Sequence, residues 1–366
     1  MKRRAETPAS GRKMMSLVET TAWESMEFKN IPIISEVDVS PLLKLFKDKP
    51  VLDLQPFMKL YKNNTVERLQ HPSYVPPSSH PETEVQSKDI VIAPETGVCA
   101  RLYIPDWTNP DHKLPLLVYF HGGGFITGSA FYKNYHDYLN SIVAAANVVA
   151  VSVNYRLAPE NPLPIAYDDS WDVIKWVASH SKGCGDEEWL NQYVDFERVF
   201  YAGDSSGGNI AHNMAMRVGS GELDGAIAIA KPVGIVLIHP YFWGKKPIGK
   251  HEPRHNKNST AIKNLWLVAS KMGIGLNDPR VNPLEDPRLS SLGCTRVLVC
   301  IAELDWLRDR GWYYAKALRE SGWGGKVEVL EAKGENHVFH LRNSTSDNVV
   351  AMLKRVVSFI NDEDEI

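Results

Sequence analysis

Three polar residues, far apart in the chain, have the types and the order that nucleophilic acyl transfer needs. Ser205 lies in "YAGDSSGGN", residues 201–209, where Gly203-Asp204-Ser205-Ser206-Gly207 fits the pattern G-x-S-x-G. In that pattern a strand turns sharply into a helix, and the flanking glycines let the two backbones close around a serine at unfavourable dihedrals. Taken alone, the pattern recurs by chance in many turns. Context sharpens it: the apolar run "RVFYA" precedes it, and "NIAHNMAMRV" follows with apolar residues at helical spacing. A serine hydroxyl attacks a carbonyl only when a base takes its proton. Asp305 in "AELDWLRD" and His337 in "GENHVFH" each follow a strand-like run, so the order Ser205, Asp305, His337 puts both at strand ends. His337 is then expected to accept the hydroxyl proton and return it to the leaving group. Asp305 is expected to fix the imidazole tautomer and stabilise the imidazolium.

Attack on an ester carbonyl builds negative charge on oxygen, and "HGGGF", His121 to Phe125, supplies a way to hold it. Backbone N–H groups aimed at such an oxygen lower the barrier, and losing one costs ~3 kcal/mol. The amides of Gly123, Gly124 and Ser206 are the expected donors, with Gly122 shaping the turn. Two rivals exist for the triad. His340 lies three residues beyond His337, but the loop directly after a strand favours His337. Asp309 falls in the first turn of the helix after Asp305, where an acid suits the helix dipole and needs no catalytic reason. His136, His212 and His239 are expected at the surface or as satisfied core residues.

The elements that must position these groups follow from apolar periodicity. "SKDIVIAPETGVCARLYIP" reads as a hairpin around a Pro-Glu-Thr-Gly turn, and "LPLLVYF" and "NVVAVSVNYR" read as strands buried on both faces. "AYDDSWDVIKWVASHS" has helical spacing, and strands and helices then alternate: "RVFYAGDS", "NIAHNMAMRV", "PVGIVLIHPYF", "TRVLVCIAELD", "GWYYAKALRESG", "KVEVLEAKG" and "VVAMLKRVVSFI". Such alternation predicts a mostly parallel sheet covered by helices on both faces. Residues 244–292, rich in Lys, Pro and Asn around one amphipathic helix, read as a cap-like insertion within a single domain, 36–366. Residues 36–86 form an N-terminal arm containing a local duplication, "DVSPLLKLFKDKPV" from Asp38 and "DLQPFMKLYKNNTV" from Asp53. Residues 1–35 read as a disordered leader by composition.

Several function classes are disfavoured at once. Among 366 residues the formal net charge is −3, without the basic excess that captures nucleic acid or anionic membrane. No apolar run approaches the ~18 to 20 residues of a membrane span. The first residues are basic but have no apolar secretory core, so the expected location is the cytoplasm, with organelle targeting by the basic leader as the alternative. Cys99, Cys184, Cys294 and Cys300 lack metal-ligand spacing and suit a reducing compartment. The chemistry calls for neither a metal nor an organic cofactor.

From about Gln55 to Ile360 the sequence resembles the plant carboxylesterase family of hormone-sensitive-lipase-like α/β-hydrolases. The resemblance rests on "LYKNNTVERL", "VPPSSHPETEVQSKDIVIAPETGVCARLYIP", "YFHGGGF", "NYRLAPENPLPIAYDDSWDVIKWVASH", "GDSSGGNIAHNMA", "HPYFWGKKPIG", "LVCIAELDWLRDRG" and "GENHVFHL". It implies an α/β-hydrolase fold, a helical cap from the N-terminal arm and the insertion, and a small-molecule ester or plant secondary metabolite as partner. Esterases of this family use the full triad, and gibberellin receptors lack its histidine. Some members, such as 2-hydroxyisoflavanone dehydratases and alkaloid cyclases, catalyse eliminations. An intact Ser205, Asp305 and His337 favour the esterase. Phe57 and Tyr61 in the arm, with Phe125 and Trp243, are the expected substrate-pocket side chains.

Overall fold

The computed structural model describes residues 49–222, 230–250, 252, 257–271, 273–342 and 345–361. Short apolar runs between turn residues come first: β1 (Leu52–Leu54), β2 (Met58–Leu60) and β3 (Val66–Arg68) pair antiparallel as a small separate sheet. The large sheet contains β4 (Ser79–His80), β5 (Val85–Ala93), β6 (Val98–Pro105), β7 (Leu114–Phe120), β8 (Val149–Asn154), β9 (Val194–Asp204), β10 (Gly234–Ile238), β11 (Arg296–Ala302) and β12 (Lys326–Ala332). Its order is β12-β11-β10-β9-β7-β8-β6-β5-β4. From β12 to β8 neighbouring strands are parallel, and β6, β5 and β4 complete the other edge antiparallel. This is the mostly parallel sheet that the alternation predicts, in the α/β-hydrolase arrangement that the resemblance implies.

The helices are α1 (Lys133–Ala146), α2 (Ile165–Ser179), α3 (Glu188–Tyr193), α4 (Ser206–Gly219), α5 (Lys257–Ala269), α6 (Arg308–Glu320) and α7 (Asp347–Asn361). β7 is buried along its whole length, as a central parallel strand requires. Its Leu116, Val118 and Phe120 join a core with Ile174 of α2, Met214 of α4 and Leu318 of α6. Its Leu117 and Tyr119 join a second core, on the other face, with Ile142 of α1 and Phe359 of α7. Helix α1 goes beyond the sequence reading. Its buried residues, Tyr135, Tyr138, Leu139, Ile142, Val143 and Ala146, nevertheless recur at helical spacing. No helix among the described residues is long and apolar enough to cross a membrane.

The chain divides into Met1–Lys49 and Pro50–Ile366. The expected leader and most of the first repeat copy lie outside the described residues. The second copy, from Asp53 to Val66, folds into β1, β2 and the turns around them. The arm from Pro50 to Gln86 is therefore strand and turn where the resemblance implied helix. Pro56 and the Asn63-Asn64 turn, with Asn64 at φ 65°, interrupt the apolar runs before a helix could form. In the insertion, α5 and two short 3-10 turns form around the amphipathic run.

α4 packs against β7 and β9 with no room for a side chain at either of two glycines. A Cβ at Gly207 would sit 1.9 Å from the Phe120 carbonyl oxygen, and one at Gly203 would sit 2.4 Å from the Gly207 carbonyl carbon. Gly207→Ala should therefore cost about 3 kcal/mol or more, the upper end of overpacking penalties. Urea unfolding measures it, and an unchanged midpoint would show that the helix can retreat from β7 without loss.

Candidate active site

β9 ends at Asp204, and the next residue, Ser205, sits at φ 52°, ψ −117°, outside the regions open to ordinary side chains. Hydrogen bonds hold it there. Its N–H donates to Ile238 O at 2.8 Å, and its carbonyl accepts from Tyr241 N at 2.8 Å and Asn209 N at 3.1 Å. The turn that this strain creates lifts the hydroxyl clear of the sheet.

The loops after β11 and β12 bring Asp305 and His337 to the same place. His337 Nδ1 lies 2.7 Å from Asp305 Oδ2, and His337 Nε2 lies 3.0 Å from Ser205 Oγ. With Nδ1–H donating to the carboxylate, Nε2 is left to accept the serine proton. The other carboxylate oxygen, Asp305 Oδ1, accepts from Leu307 N at 3.0 Å. Burial works against charge on Asp305, but the charge and hydrogen bond of His337 outweigh it and hold the carboxyl below its ordinary value. Burial likewise disfavours the His337 imidazolium. Asp305, through charge and hydrogen bond, overcomes that and holds the imidazole above 6.5, with Asp204 adding to the effect. The imidazole is 34% exposed and Asp305 only 3%, so the ring opens on the cavity while the carboxylate is almost covered.

The loop after β7 is built from groups that a larger residue would disrupt. Gly123 and Gly124 have φ of 117° and 62°, and a Cβ at Gly123 would lie 2.0 Å from Thr127 O. His121 stacks on Tyr155 with ring centroids 4.2 Å apart, and its Nδ1–H donates to Gly122 O at 2.7 Å. Gly122 N–H is committed inward, to Tyr135 OH at 2.8 Å and Asp204 Oδ1 at 3.1 Å, as suits a residue that shapes the turn. Gly123 and Gly124 line the same cavity as Ser205 and His337. Ser206 is the first residue of α4, where a helix leaves its N–H without an internal acceptor.

Asp204, the residue before the serine, is the part of this site that the sequence reading left out. It is buried, and both tyrosine hydroxyls, Tyr119 at 2.9 Å and Tyr135 at 3.0 Å, donate to it alongside Gly122 N–H. One carboxylate thus ties the Gly122 loop to the serine turn and to α1. Burial raises its pKa to about 6, against the opposing pull of those donors and of His337. Its position inside the G-x-S-x-G pattern is the signal that marked it.

The cavity above Ser205 has a volume of about 550 Å³. Phe57 lines it, as expected; Phe125, Tyr61 and Trp243 do not. Phe125, at φ 65°, is fully buried among Tyr167, Tyr241 and Trp266. Tyr61 hydrogen bonds Glu67, and Trp243 is buried beneath the Arg310 guanidinium at 5.3 Å. Their places on the wall are taken by Tyr135, Tyr241, Ile262, Leu265, Trp306 and Leu341. The spacing of Ile262 and Leu265, three residues apart on α5, was a legible sign of one helix face.

The rival residues lie elsewhere. His340 is buried edge-on against Tyr138 at 4.7 Å, and burial pushes it down to about 3. Asp309 is in the first turn of α6 beside Arg308 at 3.2 Å. His136 and His212 are buried, with Nδ1 3.2 Å from Tyr103 OH and 3.0 Å from Tyr314 OH. Among the described residues no group of three or more His, Cys, Asp or Glu side chains could hold a metal ion.

A family model described as an alpha/beta hydrolase fold matches residues 117–341. Probable carboxylesterase 7 of Arabidopsis thaliana is 49% identical over 299 residues, covering 81% of this chain and 93% of its own length. The 2-hydroxyisoflavanone dehydratase of Glycyrrhiza echinata is 43% identical over 331 residues, covering 88% of this chain and 95% of its own. Among solved structures, an esterase of Pyrobaculum calidifontis is similar with a TM-score of 0.61 and 27% identity, over 75% of this chain and 84% of its own.

The buried carboxylate has a measurable signature. Its pKa rises from 3.8 to about 6 on folding, so the folded state holds this proton more tightly than the unfolded chain. Asp204 therefore destabilises the fold as pH rises from about 4 to about 6, and the loss levels off above that. The stability of wild type relative to Asp204→Asn should fall across that window in urea unfolding. A difference that stays constant from pH 4 to 8 would contradict the burial argument.

Proposed function

The chain belongs to the plant carboxylesterase family of the α/β-hydrolases, and we propose that it hydrolyses small-molecule carboxylic esters through an acyl-enzyme on Ser205. Carboxylic ester hydrolysis is the activity of this protein; the residues that carry it are our assignment. The observation behind that assignment is the unbroken line from Ser205 Oγ through His337, 3.0 Å and 2.7 Å long, to Asp305.

Ser205 attacks the acyl carbon as His337 Nε2 takes its proton. The N–H groups of Gly123, Gly124 and Ser206 hold the oxyanion, and donors already in place need no reorganisation as its charge develops. The imidazolium then protonates the departing alcohol. Water, deprotonated by the same base, releases the acid and restores the serine. Asp305 stays ionised throughout, and its low pKa supports that role.

An apolar wall of Phe57, Ile262, Leu265 and Leu341 supports a substrate with a hydrophobic body. Such walls discriminate by only ~1 to 3 kcal/mol per methylene, so several related esters, plant secondary metabolites among them, are accommodated. A cytoplasmic location is supported by four cysteines without a disulfide or metal spacing. The likeness to the dehydratase favours one second reading, an elimination in the same cavity. There His337 would remove a carbon-bound proton while the Gly123, Gly124 and Ser206 amides hold the enolate, and Ser205 would only position the substrate.

Base catalysis by His337 requires the neutral imidazole, so kcat/KM should rise with pH through a midpoint above 6.5. Asp305→Asn removes the group that lifts that midpoint. Its profile should shift to lower pH and its rate should fall by ~10⁴-fold, the usual cost of a mis-set tautomer. Initial rates of p-nitrophenyl butyrate hydrolysis across pH measure both. A variant with an unmoved midpoint would remove His337 from the role of base.

A further inference from the structure

His239 takes no part in the reaction as assigned, yet it and the residue before it bond to the turn, the strand and the loop that carry the triad. It directly follows β10, whose last residue, Ile238, accepts the Ser205 N–H at 2.8 Å. Its own N–H donates to Cys300 O at 2.8 Å, on β11, the strand that leads to Asp305. Its side-chain Nδ1 accepts the N–H of Val338 at 3.2 Å, one residue beyond His337. Two consecutive residues, Ile238 and His239, thus link the nucleophile's turn, the strand before the acid and the loop of the base.

The backbone at the far end of this link needs a restraint. Val338 sits at φ 49°, ψ 38°, in the left-handed region, which a β-branched side chain rarely enters. That conformation makes the turn that swings His337 toward Ser205 and leaves Val338 on the cavity wall. His239 is itself at φ 46°. Strain of this kind persists only where the surroundings over-determine it, and the bond from Val338 N–H to His239 Nδ1 is such a surrounding.

The state of the imidazole fits. To accept at Nδ1 it must carry its proton on Nε2, and Nε2 is buried with no partner among the described residues. Burial holds its pKa well below 6.5, with the neighbouring His340 and His337 opposing charge and Asp305 favouring it. Its ring centroid lies 5.8 Å from that of His337 and 5.4 Å from that of Phe339. A side chain serving packing alone would have no need of a nitrogen here, since leucine or phenylalanine fills such a space without burying an unpaired N–H.

We propose that His239 is a positioning residue for the base: by accepting the Val338 N–H it locks the turn that aims His337 at Ser205. The proposal rests on the assignment of His337 as the base. His239→Asn and His239→Leu test it, because the two side chains have nearly the same shape and only Asn places an acceptor where Nδ1 was. The Leu variant should lose up to ~100-fold in kcat with KM little changed, as expected when a reacting group is misplaced by about an ångström. It should also lose the low-field proton resonance of the His337–Asp305 hydrogen bond. The Asn variant should recover most of kcat and the resonance, even though its buried amide makes it no more stable than Leu in urea.

That split, the Asn variant being the more active while no more stable, is a result that packing alone would not give. Equal losses in the two variants, or wild-type kcat and resonance in the Leu variant, would overturn the proposal. Should the Leu variant fail to fold, His239→Phe, which keeps an aromatic ring and lacks the acceptor, takes its place in the comparison. If the wild type hydrolyses no ester, the assignment of Ser205 fails; the resonance still decides whether His239 orders the His337 loop.

Discussion

The site depends first on how closely one helix can approach one sheet. α4 meets β7 and β9 at Gly203 and Gly207, where no Cβ would fit. That contact leaves the single residue between strand and helix, Ser205, at dihedrals that no regular element uses. A nucleophile held this way has its hydroxyl outside the hydrogen-bonding pattern of both neighbours, free to face another loop. The first amides of α4 face the same space with no carbonyl of their own to bind. The constraint that costs backbone energy at Ser205 therefore serves the proposed mechanism twice, by turning the hydroxyl toward His337 and by leaving the Ser206 amide without an internal acceptor.

Two buried carboxylates then divide the work by their surroundings. Asp305 meets an imidazole, and the charge and hydrogen bond of His337 hold its carboxyl below the ordinary value against burial. Asp204 meets tyrosine hydroxyls and a glycine amide, and burial lifts it to about 6. Its contacts join Tyr119 of β7, Tyr135 of α1 and Gly122 of the loop between them. A glycine-rich loop is otherwise free to sample many conformations, and this fixed anchor gives the Gly123 and Gly124 amides a stable direction. In the proposed mechanism the first carboxylate thus acts on the proton and the second on the geometry around it.

Much of this was legible in the sequence because it was local or repeated. Long apolar runs such as "LPLLVYF" could only be buried strands, and their alternation with helical runs implied the sheet order's parallel half. Ser205, Asp305 and His337 stood out because each falls at the end of such a run. The pocket side chains were less legible. Phe125 and Trp243 looked exposed to substrate from their neighbours in sequence, but a left-handed backbone at Phe125 turns it into the core, and Arg310 covers Trp243. Both facts depend on residues distant in the chain. The N-terminal arm differs for another reason: helix was what the resemblance implied there, while Pro56 and Asn64 act as turn formers and leave only three-residue strands. The tie between His239 and Val338 joins positions far apart in sequence, and no local pattern announces it.

The most direct measurement is phosphonylation by a fluorophosphonate ester, with the modified residue mapped by peptide mass spectrometry and the remaining hydrolysis followed in the same samples. The account predicts one phosphonyl group per chain, on Ser205, with activity lost in proportion to its formation. Ester hydrolysis that continues after Ser205 is fully modified, or inactivation by a group attached elsewhere, would contradict it.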